Sequence, residues 1–130
     1  MFNEKTFTSK FNRWLLHSWL GESAVFELKV TKTNRMPFSA VKPHQIQNLL
    51  AAKNGKVIYK IPDDGFSQKP FDCFYLSKVL AYVVVYFYKR GEKRFYMIPV
   101  EEFVFRQEAA ISKSFTSDEV LGWDHLTGYL

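Results

Sequence analysis

A single cysteine, Cys73, stands among 130 residues, which excludes an internal disulfide and a cysteine-built zinc site. That scarcity fits a reducing, cytoplasmic setting. Long apolar runs are missing too. The longest, Val79 to Tyr88, is about ten residues, against the roughly 20 that a membrane-crossing helix needs, so no transmembrane span is expected. The first residues include Glu4 and lack a basic opening, an uninterrupted apolar stretch and a small-residue cleavage pattern, so no secretory signal is expected there. Internal repeats and low-complexity segments are absent. What is present, 47% hydrophobic and 24% charged residues, is the balance of a soluble globular chain, and the length suits one domain over residues 1–130 with a sizeable core.

Charge is unevenly spread. The chain carries 18 basic and 13 acidic residues for a formal +5. Residues 1–100 hold 16 of the basic and 7 of the acidic side chains, whereas residues 101–130 hold two basic and six acidic. A basic face gains affinity for a polyanion by releasing the counterions condensed on it, which points to nucleic acid as a partner.

The segment Ala24 to Thr31, AVFELKVT, alternates as a strand does. Ala24, Phe26, Leu28 and Val30 share one face, suited to a core, and Glu27, Lys29 and Thr31 share the other. Glu27 and Lys29 are then roughly 6–7 Å apart along the strand, close enough to act on one metal, water or phosphate. Before this strand, Phe7, Phe11, Trp14, Leu15 and Trp19 recur at helical spacing, predicting a helix over Asn3 to Leu20 with Asn3 as N-cap and Gly21 as stop. Glu4 lies on the same stripe, and either turns toward the core rim or stays solvated in the first turn, where the helix dipole favours an acid.

Lys32 to Lys42 reads as a polar loop at the strand's end, carrying Lys32, Arg35 and Lys42. Pro43 to Lys53 reads as a helix opening on proline, with His44 and Gln45 in its first turn and Ile46, Leu49 and Leu50 as its apolar stripe. His44 is either an exposed surface histidine or a group facing an anion. Lys56 to Ile61 and Phe71 to Leu76 read as strands, joined by a turn-rich loop in which Asp63 and Asp64 suit turn positions. Leu80 to Tyr88 is apolar enough for a central strand covered on both faces, and KRGEK, Lys89 to Lys93, turns it into a return strand, Arg94 to Ile98. A helix is expected from Glu101 toward Ala110 and a short one from Ser117; the final residues carry no clear pattern.

Phe26 to Thr31, then Pro37 and Phe38, then His44, Gln45 and Ile46 together resemble the PD-(D/E)XK nuclease superfamily. Within it the pattern is similar to Holliday junction resolvases of the RecU type and to the small archaeal-type resolvases, over roughly residues 1–106. The resemblance implies a restriction-endonuclease-like α/β fold, with a central mixed sheet of about five strands flanked by helices. It also implies a Mg²⁺- or Mn²⁺-dependent endonuclease, cutting branched or four-way DNA as a homodimer, nucleoid-associated or phage-encoded. By the same resemblance Glu27, the Leu28 carbonyl and Glu4 belong to the metal site, Lys29 orients or activates the attacking water, and Gln45 positions lysine, water or phosphate. Lys32, Arg35, Lys42 and His44 would meet DNA. One departure stands out, because the family places an aspartate on a strand before E-x-K and residues 1–26 contain none. KPFDCFYL, Lys69 to Leu76, looks like that aspartate strand moved later in the chain, which makes Asp72 the expected second metal ligand and Glu22 the alternative. Other readings are a repair or restriction nuclease of the same superfamily, and a non-catalytic basic domain in which Glu27 and Lys29 form an exposed ion pair.

Overall fold

The computed structural model describes residues 2–19, 23–55 and 79–130, together with the main chain of 57–60 and 73–76. It is mixed α/β, with elements in the order α1 (Glu4–Ser18), β1 (Ala24–Thr31), β2 (Arg35–Pro37), a 3-10 turn (Phe38–Ala40), α2 (Pro43–Lys53), β3 (Val57–Lys60), β4 (Cys73–Leu76), β5 (Leu80–Phe87), β6 (Arg94–Pro99), α3 (Val100–Ala109), β7 (Ser114–Thr116), α4 (Ser117–Leu121) and β8 (Leu126–Tyr129). Among the described residues the central sheet is a mixed one of four strands in the order β1-β5-β6-β8, flanked by helices as expected. β1 and β5 run parallel, with Glu27 opposite Val83 and Lys29 opposite Val85. β5 with β6, and β6 with β8, are antiparallel.

A parallel pair requires a long crossover, and here α2 lies within it. The apolar residues sort by parity onto the two faces that the crossover and the terminal elements cover. Phe26, Leu28, Tyr82, Val84, Tyr86, Phe95 and Met97 pack with Phe7 and Phe11 of α1. Val25, Val83, Val85 and Ile98 pack with Leu49 of α2 and Phe103 of α3. β5 is therefore covered on both sides, with Val83, Val84 and Val85 all at 0% exposure, as its unbroken apolar run predicts. β1, at the sheet margin, is half-buried along its whole length.

Helix α1 begins where the sequence indicates, the Asn3 side chain accepting the Thr6 N–H at 2.9 Å, a cap worth about 1 kcal/mol. It stops at Ser18, before Leu20, with Trp19 already extended. The predicted stop, Gly21, lies outside the described residues. α4 is capped by Thr116, whose hydroxyl accepts the Glu119 N–H at 3.2 Å while Glu119 returns a carboxylate oxygen to the Thr116 N–H.

Two short sheets flank the main one. The stretch expected as loop after β1 contains β2, which pairs antiparallel with β7, Met36 opposite Phe115. Both residues are buried beneath an aromatic cluster in which Phe38, Phe103 and Trp123 stand within about 6 Å of one another or of Phe115. β3 pairs antiparallel with β4, Lys60 opposite Cys73. Among the described residues β4 has no place beside β1 in the central sheet. Asp63, Asp64 and Asp72 lie outside the described residues.

Candidate functional site

The edge position of β1 determines what its chemical groups can reach. At the ends of the β1-β5 pairing, the Ser23 carbonyl accepts the Leu80 N–H at 3.2 Å and the Thr31 carbonyl accepts the Tyr88 N–H at 2.7 Å. Main-chain groups alternate along a strand, so odd-numbered residues of β1 turn their carbonyls to β5. Even-numbered ones, Leu28 among them, turn theirs to the outer margin. Side chains alternate as well, which puts Glu27 and Lys29 on the face that α2 covers.

Three of the expected residues meet there. Gln45 Nε2 donates to Glu27 Oε1 at 2.8 Å, and Lys29 Nζ lies 3.4 Å from the same oxygen. The lysine side chain is 13% exposed and the glutamate 27%, so the pair is neither sealed in the core nor a free surface ion pair. The amide of Gln45 has its orientation set from behind, because its Oε1 accepts the Lys42 N–H at 2.8 Å. With the oxygen so engaged, Nε2 has to face Glu27. The Lys42 carbonyl in turn accepts the Gln45 and Ile46 N–H groups at 2.9 and 3.1 Å, which fixes the start of α2. Pro43 suits the first turn because it has no N–H to leave unpaired.

Both contacts to Glu27 fall on Oε1, which leaves Oε2 without a hydrogen bond among the described residues. Oε2 and the outward Leu28 carbonyl are both hard oxygen donors of the kind Mg²⁺ prefers. Among the described residues no three His, Cys, Asp or Glu side chains converge as a metal cage, and a divalent ion held by these two oxygens would need water or further residues to complete its shell. The donor chemistry fits a divalent ion to that extent.

A small cleft of about 180 Å³ opens beside this pair, lined by Val25, Glu27, Gln45, Asn48 and Leu49. Asn48 escaped the sequence reading. Its signal was the three-residue step from Gln45, which puts both amides on one helix face.

The remaining expected residues are dispersed. Glu4 is exposed in the first turn of α1, the helix that covers the other face of the sheet, so its solvated alternative is the one observed. His44 is exposed in the first turn of α2, and the side chain of Lys42 is exposed at its start. Arg35 is exposed and donates from Nη1 to Ser114 Oγ at 2.7 Å, tying the loop after β1 to β7. That loop is also braced by threonines, since Thr31 and Thr33 hydroxyls both donate to the Arg35 carbonyl, at 3.2 and 2.8 Å. Lys32 lines a different cleft, past the C-terminal end of β1. Glu22 and Asp72, the two candidates for the second acid, lie outside the described residues.

No protein-family model, curated protein or solved structure matches the chain. Among the described residues no helix is long and apolar enough to cross a membrane.

Proposed function

We propose that the chain is a Mg²⁺- or Mn²⁺-dependent DNA endonuclease, of the structure-selective kind that resolves four-way junctions as a homodimer. The observation that carries this reading is the single connected unit of Glu27, Lys29 and Gln45, in which one carboxylate oxygen takes both an amide and an ammonium while the other meets no donor among the described residues. A bound divalent ion would polarise a phosphoryl oxygen and acidify its water. In that setting Glu27 offers Oε2 to the ion and Lys29 neutralises charge beside the scissile phosphate. Gln45 holds Glu27 in the geometry that leaves Oε2 outward. Lys32, Arg35, Lys42 and His44 surround the end of β1 and the start of α2 as exposed groups that would hold backbone phosphates, contacts that position DNA without reading sequence. Asp72 remains the proposed second acid, and a homodimer would supply the two sites that symmetric cleavage of a junction needs.

The test is cleavage of a four-way junction beside a linear duplex of the same sequence, with Mg²⁺ and with Mn²⁺, for wild type and Glu27→Ala. Junction-selective cutting that the substitution abolishes is the expected result. Equal cutting of both substrates would reduce the reading to a general nuclease. DNA binding with no cutting under either metal would leave a non-catalytic basic domain.

A further inference from the structure

Beyond the C-terminal ends of the parallel strands β1 and β5 lies a cleft of about 330 Å³, lined among others by Lys32, Asn34, Lys89, Arg94 and Ser117. Ligands of open α/β sheets gather at this end of parallel strands. Three separate stretches of chain bring cations to it: the loop after β1, the turn after β5, and the start of β6. Glu92 is the acid among the described residues that line it and is already engaged, and Asp118, outside the lining, acts on Tyr96 in its wall. Glu92 Oε1 accepts the Lys93 and Arg94 N–H groups at 3.1 and 2.8 Å, and Oε2 lies 3.9 Å from Arg94 Nη2. The cleft therefore keeps a surplus of positive charge. Its rim is also held in shape. The turn is closed by the Glu92 N–H donating to the Lys89 carbonyl at 2.8 Å and by the Tyr86 hydroxyl donating to the Glu92 carbonyl. Gly91 supplies the positive φ, 85°, that the turn requires.

We propose that this cleft is a second phosphate subsite, which holds one backbone phosphodiester of a DNA strand at a distance from the scissile bond. The position rests on the nuclease reading; the binding itself does not. Lys32 follows Glu27 by five residues along the strand direction, roughly 16 Å at ~3.3 Å per residue. Phosphates advance about 3.4 Å each along a duplex strand, so the one bound here lies within about five nucleotides of the cut. Lys32 and Lys89 supply point charges, and Arg94 and the small polar residues Asn34 and Ser117 supply further donors.

The experiment is fluorescence anisotropy of a labelled duplex over about 50–200 mM salt, with wild type and the double variant Lys32→Gln with Lys89→Gln. Both lysines are exposed, and a circular dichroism melt checks that the fold is kept. Losing one phosphate contact should make the salt slope shallower by about 0.9 and weaken binding roughly eightfold near 0.1 M salt. A scan of single neutral methylphosphonates should find one position, within about five nucleotides of the cut, that weakens wild type and leaves the double variant unchanged. If wild type binds DNA and the double variant shares its slope, the subsite is refuted and the nuclease reading stands. If wild type binds no DNA at all, both fall together.

Discussion

Gly128→Ala tests the packing that seats the outer strand β8 on the sheet. Gly128 stands opposite Phe95 in the β6-β8 pairing, and a Cβ at that position would come within 2.3 Å of the ring Cζ, 2.6 Å of Cε2 and 2.9 Å of Cε1. Carbon atoms in comfortable contact are ~3.5–4.0 Å apart, so ring and strand would have to part by roughly 1 Å. The ring has nowhere to go. Phe95 is fully buried, edge-on to Trp14, Phe11 and Phe7 at centroid distances of 5.1, 5.4 and 5.9 Å. Overpacking of this kind costs about 1–3 kcal/mol, and for a domain of this size about 4 °C of Tm follows each kcal/mol. A drop of about 4–12 °C is expected, read by urea and thermal unfolding with tryptophan fluorescence, to which Trp14 beside the affected ring contributes. Phe95→Leu opens space among Phe7, Phe11 and Trp14 and is itself destabilising. In the Gly128→Ala background, however, it relieves the clash, so the double variant should be more stable than additivity allows by about 1 kcal/mol or more. An unchanged unfolding midpoint for Gly128→Ala, or strictly additive effects, would refute the placement of β8.

Two further outcomes follow from the site and its neighbourhood. Gln45→Leu removes the donor that orients Glu27 and should lower metal-dependent cleavage by about 10²-fold, the usual consequence of slight misplacement, with DNA affinity kept; cleavage near the wild-type rate would remove Gln45 from the machinery. Burial first, then the nearby Glu92 carboxylate and Tyr88, raise the Tyr86 hydroxyl above its ordinary value of 10.0, so the folded chain holds that proton more tightly than the unfolded chain does. The stability this contributes is complete below about pH 10 and lost as pH climbs through the higher folded value. Tyr86→Phe should therefore flatten the alkaline fall of stability in pH-dependent unfolding, and an unaltered fall would show that another group titrates there.

The elements that the sequence made legible are those whose stabilising contacts repeat at a local period. α1, β1, α2, β5 and α3 each carry a stripe or a run that states its own geometry, and each was found within one or two residues of its expected limits. The elements that were missed are held by partners distant in the chain. β2 and β7 have three residues each, and neither is a strand except against the other, with Arg35 opposite Thr116 across 81 positions of sequence. β8 reads Leu-Thr-Gly-Tyr, where a glycine argues against a strand, yet that glycine is what admits the Phe95 ring. The candidate site divides along the same line. Glu27 and Lys29 share a face because a strand alternates, and sequence suffices for that. Gln45 reaches them only because the crossover returns α2 over the same face, and Lys32 parts from them because β1 continues for another turn of alternation before its loop.

The geometry around Glu27 also bears on why a largely buried ion pair should occur at a sheet margin at all. As a stabilising device it is a poor choice, since desolvating two charges offsets much of their attraction and an apolar pair of similar volume is often as stable or more so. A device for holding one carboxylate oxygen still has different requirements. It needs a donor whose own orientation is fixed, and the Lys42 N–H fixes Gln45. It needs a charge close enough to balance the carboxylate without covering both oxygens, and Lys29 lies on the same oxygen that Gln45 takes. It needs a further oxygen donor on the same strand, and the margin of β1 turns the Leu28 carbonyl outward. All three requirements are met by the same short strand and the first turn of one helix. That coincidence is what an accidental Glu-x-Lys has no physical reason to produce, and it is why Gln45, more than the charged pair itself, is the residue on which the nuclease reading turns.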